Sequence, residues 1–456
     1  MHLLTTSFSL RISASALSAR ALMPLLVLTL PVVAGGGAPR DSVPASAVTP
    51  TARVDSLPLP SLLERAAIAA ELHTAISMRF AHWDGVPNLD FRALFHTYLE
   101  QSLAATTRRE FTLASLEFIA ALHNGHSWFY DTALREASGP RVPFTARSVD
   151  GVWVVDRSAD PQLHVGDVIE SIDGASFETY YRERRKYMPA TTDRYARFEW
   201  LAGDYDSSIL FPLRFTLTLQ GGRTVTIDRT HGPGMPQDLQ PTGRMLDGRT
   251  AYIRIPSFLD PGYEQHALEL VRQLHDATSM IIDVRGNRGG ITPIHLLDGL
   301  MDRSYRWFRH MTPRYTGTGR QRQYVMTPAS VEHPDSTLYA GPLAILIDVG
   351  CASACEGLVV SFKDNGRATL VGDTTGGSSG QPYFLSLDAG RIRVGIGARR
   401  EYMPDGSPFE GVGIAPDVFV RRRADDYREG GDPALERART LLAEADSGHQ
   451  RPPART

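Results

Sequence analysis

Lysine is nearly absent from this chain: of 48 basic residues only Lys186 and Lys363 are lysines, so a mechanism needing a catalytic amine must use one of them. Cysteine is equally scarce. Cys351 and Cys355 are too few for a disulfide framework and lack the second pair that a zinc site would need. The 48 basic residues almost cancel 51 acidic ones, and a net charge of -3 gives no field to draw nucleic acid or an anionic membrane. No apolar run of 18 residues follows the N-terminal segment, and the glycine patterns of nucleotide-binding loops are missing. What is present is length and apolar mass. At 456 residues and 42% apolar composition, the chain can build about three domains with adequate cores.

Residues 1–38 read as a signal peptide. Arg11 and Arg20 precede an apolar run from Ala21 to Ala34, which gives way to Gly35-Gly36-Gly37-Ala38. Export to the periplasm or the exterior is therefore expected, with a retained N-terminal anchor as the alternative. Residues 39–60, rich in Ala, Pro, Ser and Val, read as a linker. A helical N-terminal domain is expected over 61–135. Leu62, Leu63, Ala66 and Ala70 recur at helical spacing, and Leu116, Ile119 and Ala120 share a face of a second helix. That second helix runs into Asn124-Gly125-His126-Ser127, so His126 is expected just past a helix end.

Over 140–235 the texture turns to short β-like runs, Val152 to Val155, Val168 to Ile172 and a Phe215 to Ile227 hairpin. Residues 163–174 resemble the Gly-Asp stretch of PDZ domains, with any small β-barrel as the bland alternative. From 240 to 425 strands and helices alternate, predicting an α/β core, and 426–456 reads as a helix with a disordered tail.

Two strand-to-helix turns of the core carry unusual residues. Gly289-Gly290 offers backbone N–H groups to an anion, or simply makes a tight turn. Ser353, in Gly350-Cys351-Ala352-Ser353-Ala354-Cys355, suits an exposed nucleophile or an ordinary N-cap. G-x-S-x-G is not matched. The carboxylates Glu356, Asp364 and Asp373 lack metal-ligand spacing, and no metal or other cofactor is implied.

Taken in order, residues 281–290, Ser353 to Glu356, Asp364 to Arg367, Thr374 to Gly377 and Glu410 to Asp417 resemble the tail-specific protease family, which includes C-terminal processing peptidases and the tricorn core. The resemblance implies a multidomain α/β fold with a helical N-terminal domain, a PDZ-like β module and a ClpP/crotonase-like catalytic core. One branch of the family resembles a Ser-Lys dyad with its lysine after Thr-Gly-Gly. Here that loop reads Gly377-Ser378-Ser379-Gly380, and Lys363 lies about 15 Å along a helix from Ser353. The tricorn-like branch implies instead Ser353 as nucleophile, His126 as base and Glu410 orienting it. Gly289 or Gly290 and Ala354 would supply the oxyanion N–H groups. This chain departs from that branch in having Gly125 where a serine precedes the histidine and bridges it to the glutamate. Ser127, a water or direct contact are the substitutes.

The sequence therefore reads as an exported serine peptidase acting by acyl transfer on peptides or proteins, with recognition of their C-terminal ends an open option. The competing reading is a non-catalytic module for lipophilic ligands, like those of interphotoreceptor retinoid-binding protein. A thiol nucleophile at Cys355 and a Cys351–Cys355 disulfide both stay open, as does the oligomeric state.

Overall fold

The computed structural model describes residues 54, 56–203, 208–230, 235, 238–314 and 323–449. The expected signal peptide, most of the expected linker and the last residues of the tail lie outside them.

Three helices, Leu62–Arg79, Phe91–Ala104 and Arg108–Ala120, open the chain. Each starts where a side chain accepts an orphan backbone N–H: Ser61 and Thr107 form capping boxes with Glu64 and Glu110, and Asp90 caps Ala93. The first helix buries Arg65, Ile68, Ala69, Leu72 and Ile76, whereas Leu62 and Leu63 are 60% and 80% exposed. The apolar face thus differs from the one expected, because Ile68, Leu72 and Ile76, four residues apart, set the buried stripe and leave Ala70 exposed with Leu62 and Leu63. Leu116, Ile119 and Ala120 of the third helix are buried as expected, and Phe111 is buried with them. That helix leads into the strand Trp128–Asp131, which pairs antiparallel with Ile392–Gly397, which in turn pairs with Pro382–Leu387.

An antiparallel sheet follows, with Phe144–Val149, Val152–Ser158, Val168–Ile172, Arg214–Leu219 and Thr224–Asp228 in that order. The expected strands are present. The same segment also holds the helices Phe177–Arg184 and Asp193–Ala202, which the β-like texture hid because their aromatic residues, Phe177, Tyr181, Phe198 and Trp200, favour strands by propensity.

The core is one sheet ordered Val418–Phe419, Thr369–Gly372, Leu343–Ile347, Ser279–Asp283, Thr250–Arg254 and Thr242–Met245, parallel except for the last. Its two central strands are buried at every residue, as a parallel sheet covered on both faces requires. One face, with Met280, Ile282, Ile345 and Ile347, packs with the apolar residues of Pro261–Gln273, Ile294–Leu300 and Ala354–Asn365. The other, with Ile281, Ala344 and Leu346, meets Ala438 and Leu442 of the C-terminal helix Pro433–His449. Both unusual turns lie at the carboxyl ends of the central strands, where open α/β sheets form sites.

Arg108 ties the helical segment to the strand carrying the histidine loop. Its guanidinium, 1% exposed, donates to Asp131 at 2.8 Å and to Asp388 at 2.9 Å. Arg108→Met removes this guanidinium from the buried Asp131 carboxylate while Asp388 keeps its pair with Arg391, and urea unfolding should show a loss of about 3–5 kcal/mol.

Candidate active site

The turn after Leu343–Ile347 delivers Ser353 in a conformation that L-residues avoid, φ 56° and ψ -123°. Such a backbone costs on the order of 1–3 kcal/mol and persists only where its surroundings impose it. Here the Ser353 N–H donates to the Ser378 carbonyl at 2.7 Å, the Ala352 N–H to the Asn287 carbonyl at 3.1 Å, and the Gly376 N–H to the Cys351 carbonyl at 2.8 Å. Ser353 occupies the N-cap position of Ala354–Asn365, yet its hydroxyl makes no capping bond. It meets His126 Nε2 at 2.9 Å instead.

Cys351 and Cys355 bracket this turn and are joined by a disulfide, with Cα atoms 5.4 Å apart, inside the range a disulfide tolerates. A bonded sulfur is no nucleophile, so the thiol reading loses its reactive group. Neither lysine reaches the site: Lys363 pairs with Asp417 at 2.5 Å and Lys186 with Glu117 at 2.9 Å.

His126 sits on the loop between the third helix and Trp128–Asp131. Its Nδ1 is buried and has no hydrogen-bond partner among the described residues. Burial, with the Arg399 guanidinium second, lowers its pKa from 6.5 to about 4. Glu410, expected to orient this imidazole, does not contribute to the shift.

The reason is that Glu410 is nearby but engaged elsewhere. Its Oε1 accepts from Asn124 Nδ2 at 3.0 Å and Thr191 Oγ1 at 3.1 Å, and its Oε2 from the Ser379 N–H at 2.6 Å and Oγ at 3.0 Å. Its nearest imidazole is that of His82, whose Nδ1 lies 3.6 Å away. Burial pushes the Glu410 carboxyl up to about 8, against the pull of these donors and helped by Glu356. Ser127 does not bridge either, since its hydroxyl donates to Asn124 Oδ1 at 3.0 Å and accepts from the Gly397 N–H at 3.0 Å. A β-carbon at Gly125 would run into Ser378 Oγ, so the space for a serine before the histidine is already filled.

The second turn stands against the first. Gly289, at φ 89°, approaches so closely that a β-carbon would lie 2.7 Å from both Ser353 Cβ and the Ala354 nitrogen. Its N–H donates to Asn287 Oδ1 at 2.9 Å and is therefore committed, which narrows the expected oxyanion donors to Gly290 and Ala354. Asn287 also donates to the Ile255 carbonyl at 3.0 Å, which ties its turn to the end of the neighbouring strand, while its own carbonyl takes the Ala352 N–H and so joins the two turns. Behind Ser353, buried Glu356 accepts from Thr375 Oγ1 at 2.5 Å, the Gly377 N–H at 2.8 Å and the Ser378 N–H at 3.0 Å. A cleft of about 1160 Å³ opens onto Ser353 and His126, with Trp128, Arg147, Tyr195 and Leu259 in its walls.

Asn124, Thr191, Asn287 and Ser378 were missed as site residues. Asn124 carried a weak signal as the residue beside the Gly-His pair, while the others act through contacts that no local pattern encodes.

Residues 249–420 match the model of peptidase family S41. The chain is 31% identical over 204 residues to a carboxyl-terminal-processing protease of Synechocystis, a span of 43% of this chain and 45% of that protein. It is 27% identical over 205 residues to a putative tricorn protease homolog 2 of Streptomyces coelicolor, covering 43% of this chain and 16% of that one. These matches span less than half the length of either relative. The structure of mature CPAF complexed with lactacystin superposes with a TM-score of 0.66 at 15% identity, over 84% of this chain and 98% of that one, a likeness of fold. The chain carries a peptidase family S41 domain within a mixed α/β fold that has a helical N-terminal region.

Two measurements follow from this geometry. The His126 imidazole should titrate near pH 4 in a proton–carbon correlation spectrum, so it stays neutral, able to accept a proton, throughout the neutral range. A midpoint at or above 6.5 would contradict the burial argument. Thiol titration of the denatured protein should detect no free thiol before reduction and both cysteines after it.

Proposed function

We propose that this protein is a serine peptidase of the tricorn-like kind, working by acyl transfer on peptides or proteins. The observation that carries the reading is the 2.9 Å contact between Ser353 Oγ and His126 Nε2 at a strained turn. His126, held neutral, takes the hydroxyl proton as Ser353 attacks the scissile carbonyl, then returns it to the leaving amine. Water repeats the cycle on the acyl-enzyme. The Ala354 and Gly290 N–H groups receive the oxyanion: Ala354 opens a helix and Gly290 stands on the facing turn, where a preorganised dipole costs no reorganisation. Glu410 supports the histidine from behind.

The antiparallel module is proposed as PDZ-like, suited to receiving a substrate end by strand addition. The parallel core is proposed as ClpP/crotonase-like, and the N-terminal segment as an export signal. The names of the processing-protease relatives support C-terminal recognition. A lipophilic-ligand module has no use for a serine hydroxyl bonded to a neutral histidine.

Ser353→Ala should abolish peptide hydrolysis and labelling by a fluorophosphonate probe while leaving the melting temperature within about 2 °C, since the hydroxyl supports no cap. Retention of more than about 1% of the parent turnover would overturn the assignment of the nucleophile.

A further inference from the structure

Glu410 makes no direct bond to His126 among the described residues, yet both of its Oε1 donors hold the backbone of the histidine loop. Asn124 donates its Nδ2 to Oε1 at 3.0 Å while its Oδ1 accepts the His126 N–H at 3.2 Å. Thr191 donates its hydroxyl to the same oxygen at 3.1 Å and accepts the Gly125 N–H at 3.4 Å. We infer that Asn124 and Thr191 are positioning residues that carry the hold of Glu410 to the backbone N–H groups of Gly125 and His126, and so set where the imidazole stands against Ser353. The inference rests on the peptidase reading for its kinetic consequence, but not for its geometry.

The chemistry of the three side chains fits one polarity. Asn124, fully buried, needs an acceptor for Nδ2 and a donor for Oδ1, and finds Glu410 on one side and the His126 N–H and Ser127 hydroxyl on the other. It is held there tightly. A β-carbon on Gly397 would collide with its Oδ1, so that glycine leaves the space the amide fills, and the amide's bonds hold it there. The relay also explains how the chain manages without a hydroxyl at position 125: the carboxylate grips the peptide groups on either side of the missing side chain. Thr191 comes from the segment just before Asp193–Ala202, so the antiparallel module supplies one of the two grips.

Reversing the polarity of one pair tests this. In Asn124→Asp two carboxyl groups meet, and in Glu410→Gln one amide N–H must face a donor, either Asn124 Nδ2 or the Ser379 N–H. Each should lower kcat about 100-fold with little change in KM, the loss expected from misplacing a reacting group by an ångström. The double variant Asn124→Asp/Glu410→Gln lets the new amide donate to the new carboxylate, and should regain at least about tenfold over either single change. Thr191→Val, which alters no charge, should fall about tenfold below Thr191→Ser. Thermal melts identify any variant that is unfolded. Amide exchange at Gly125, faster in Thr191→Val than in Thr191→Ser, reports the grip without reference to activity.

The inference is overturned by a folded Asn124→Asp within twofold of the parent, by a folded double variant no better than the singles, or by equal Gly125 exchange in the two Thr191 variants. If the parent itself neither hydrolyses peptides nor takes the fluorophosphonate probe, the peptidase reading fails while the exchange result still judges the relay.

Discussion

A single hydrogen bond, His126 Nε2 to Ser353 Oγ, joins side chains 227 residues apart, and much of the architecture serves to hold its two ends. Ser353 is delivered by a parallel strand buried at every position and a helix packed on the same sheet, an arrangement with little freedom to move. His126 comes from a loop between a helix and a strand. Such a loop needs other anchors, and it has them in Asn124, in Thr191, and in the pairing of Trp128 with Gly395. The antiparallel module is therefore more than an appendage of the site. Arg194, in its second helix, donates to the Thr374 and Thr375 carbonyls, and Glu199 pairs with Arg288 of the glycine turn.

Strain at Ser353 is the local cost of exposing a hydroxyl between a strand and a helix. The fold meets it with cross-turn hydrogen bonds that use backbone groups on both sides of the serine, and with a disulfide between Cys351 and Cys355. Gly289 can approach because it has no β-carbon, and the same approach brings its turn alongside the Ala354 N–H. Asn287 joins the two neighbouring turns, its side chain holding the Gly289 N–H and its carbonyl the Ala352 N–H. A tetrahedral oxygen formed at Ser353 would then meet dipoles already in place.

The buried carboxylates divide their labour. Glu356 braces the loop of Thr375, Gly377 and Ser378 behind Ser353, Glu410 braces the loop of His126, and burial raises the pKa of both. Neither touches the imidazole, whose own pKa is lowered by burial and by Arg399. A neutral imidazole with its Nε2 on the serine is the state that general-base chemistry requires at neutral pH, reached here by desolvation without an ion pair.

By itself the sequence determined which residues could carry chemistry and on what elements they stand. Five ordered motifs pointed to Ser353 and Glu410, the Gly-His pair to His126, and β-like texture to the strand Val168–Ile172, because these depend on local pattern and order along the chain. Tertiary structure alone decided how they connect. That Glu410 grips the backbone of the histidine loop, that Ser378 fills the space at Gly125, that the Gly289 N–H is spent on Asn287 and that two helices interrupt the β module all depend on neighbours distant in sequence. The direction of the His126 pKa shift belongs with them, since burial is a property of packing and a carboxylate distant in sequence acts only where the fold brings it.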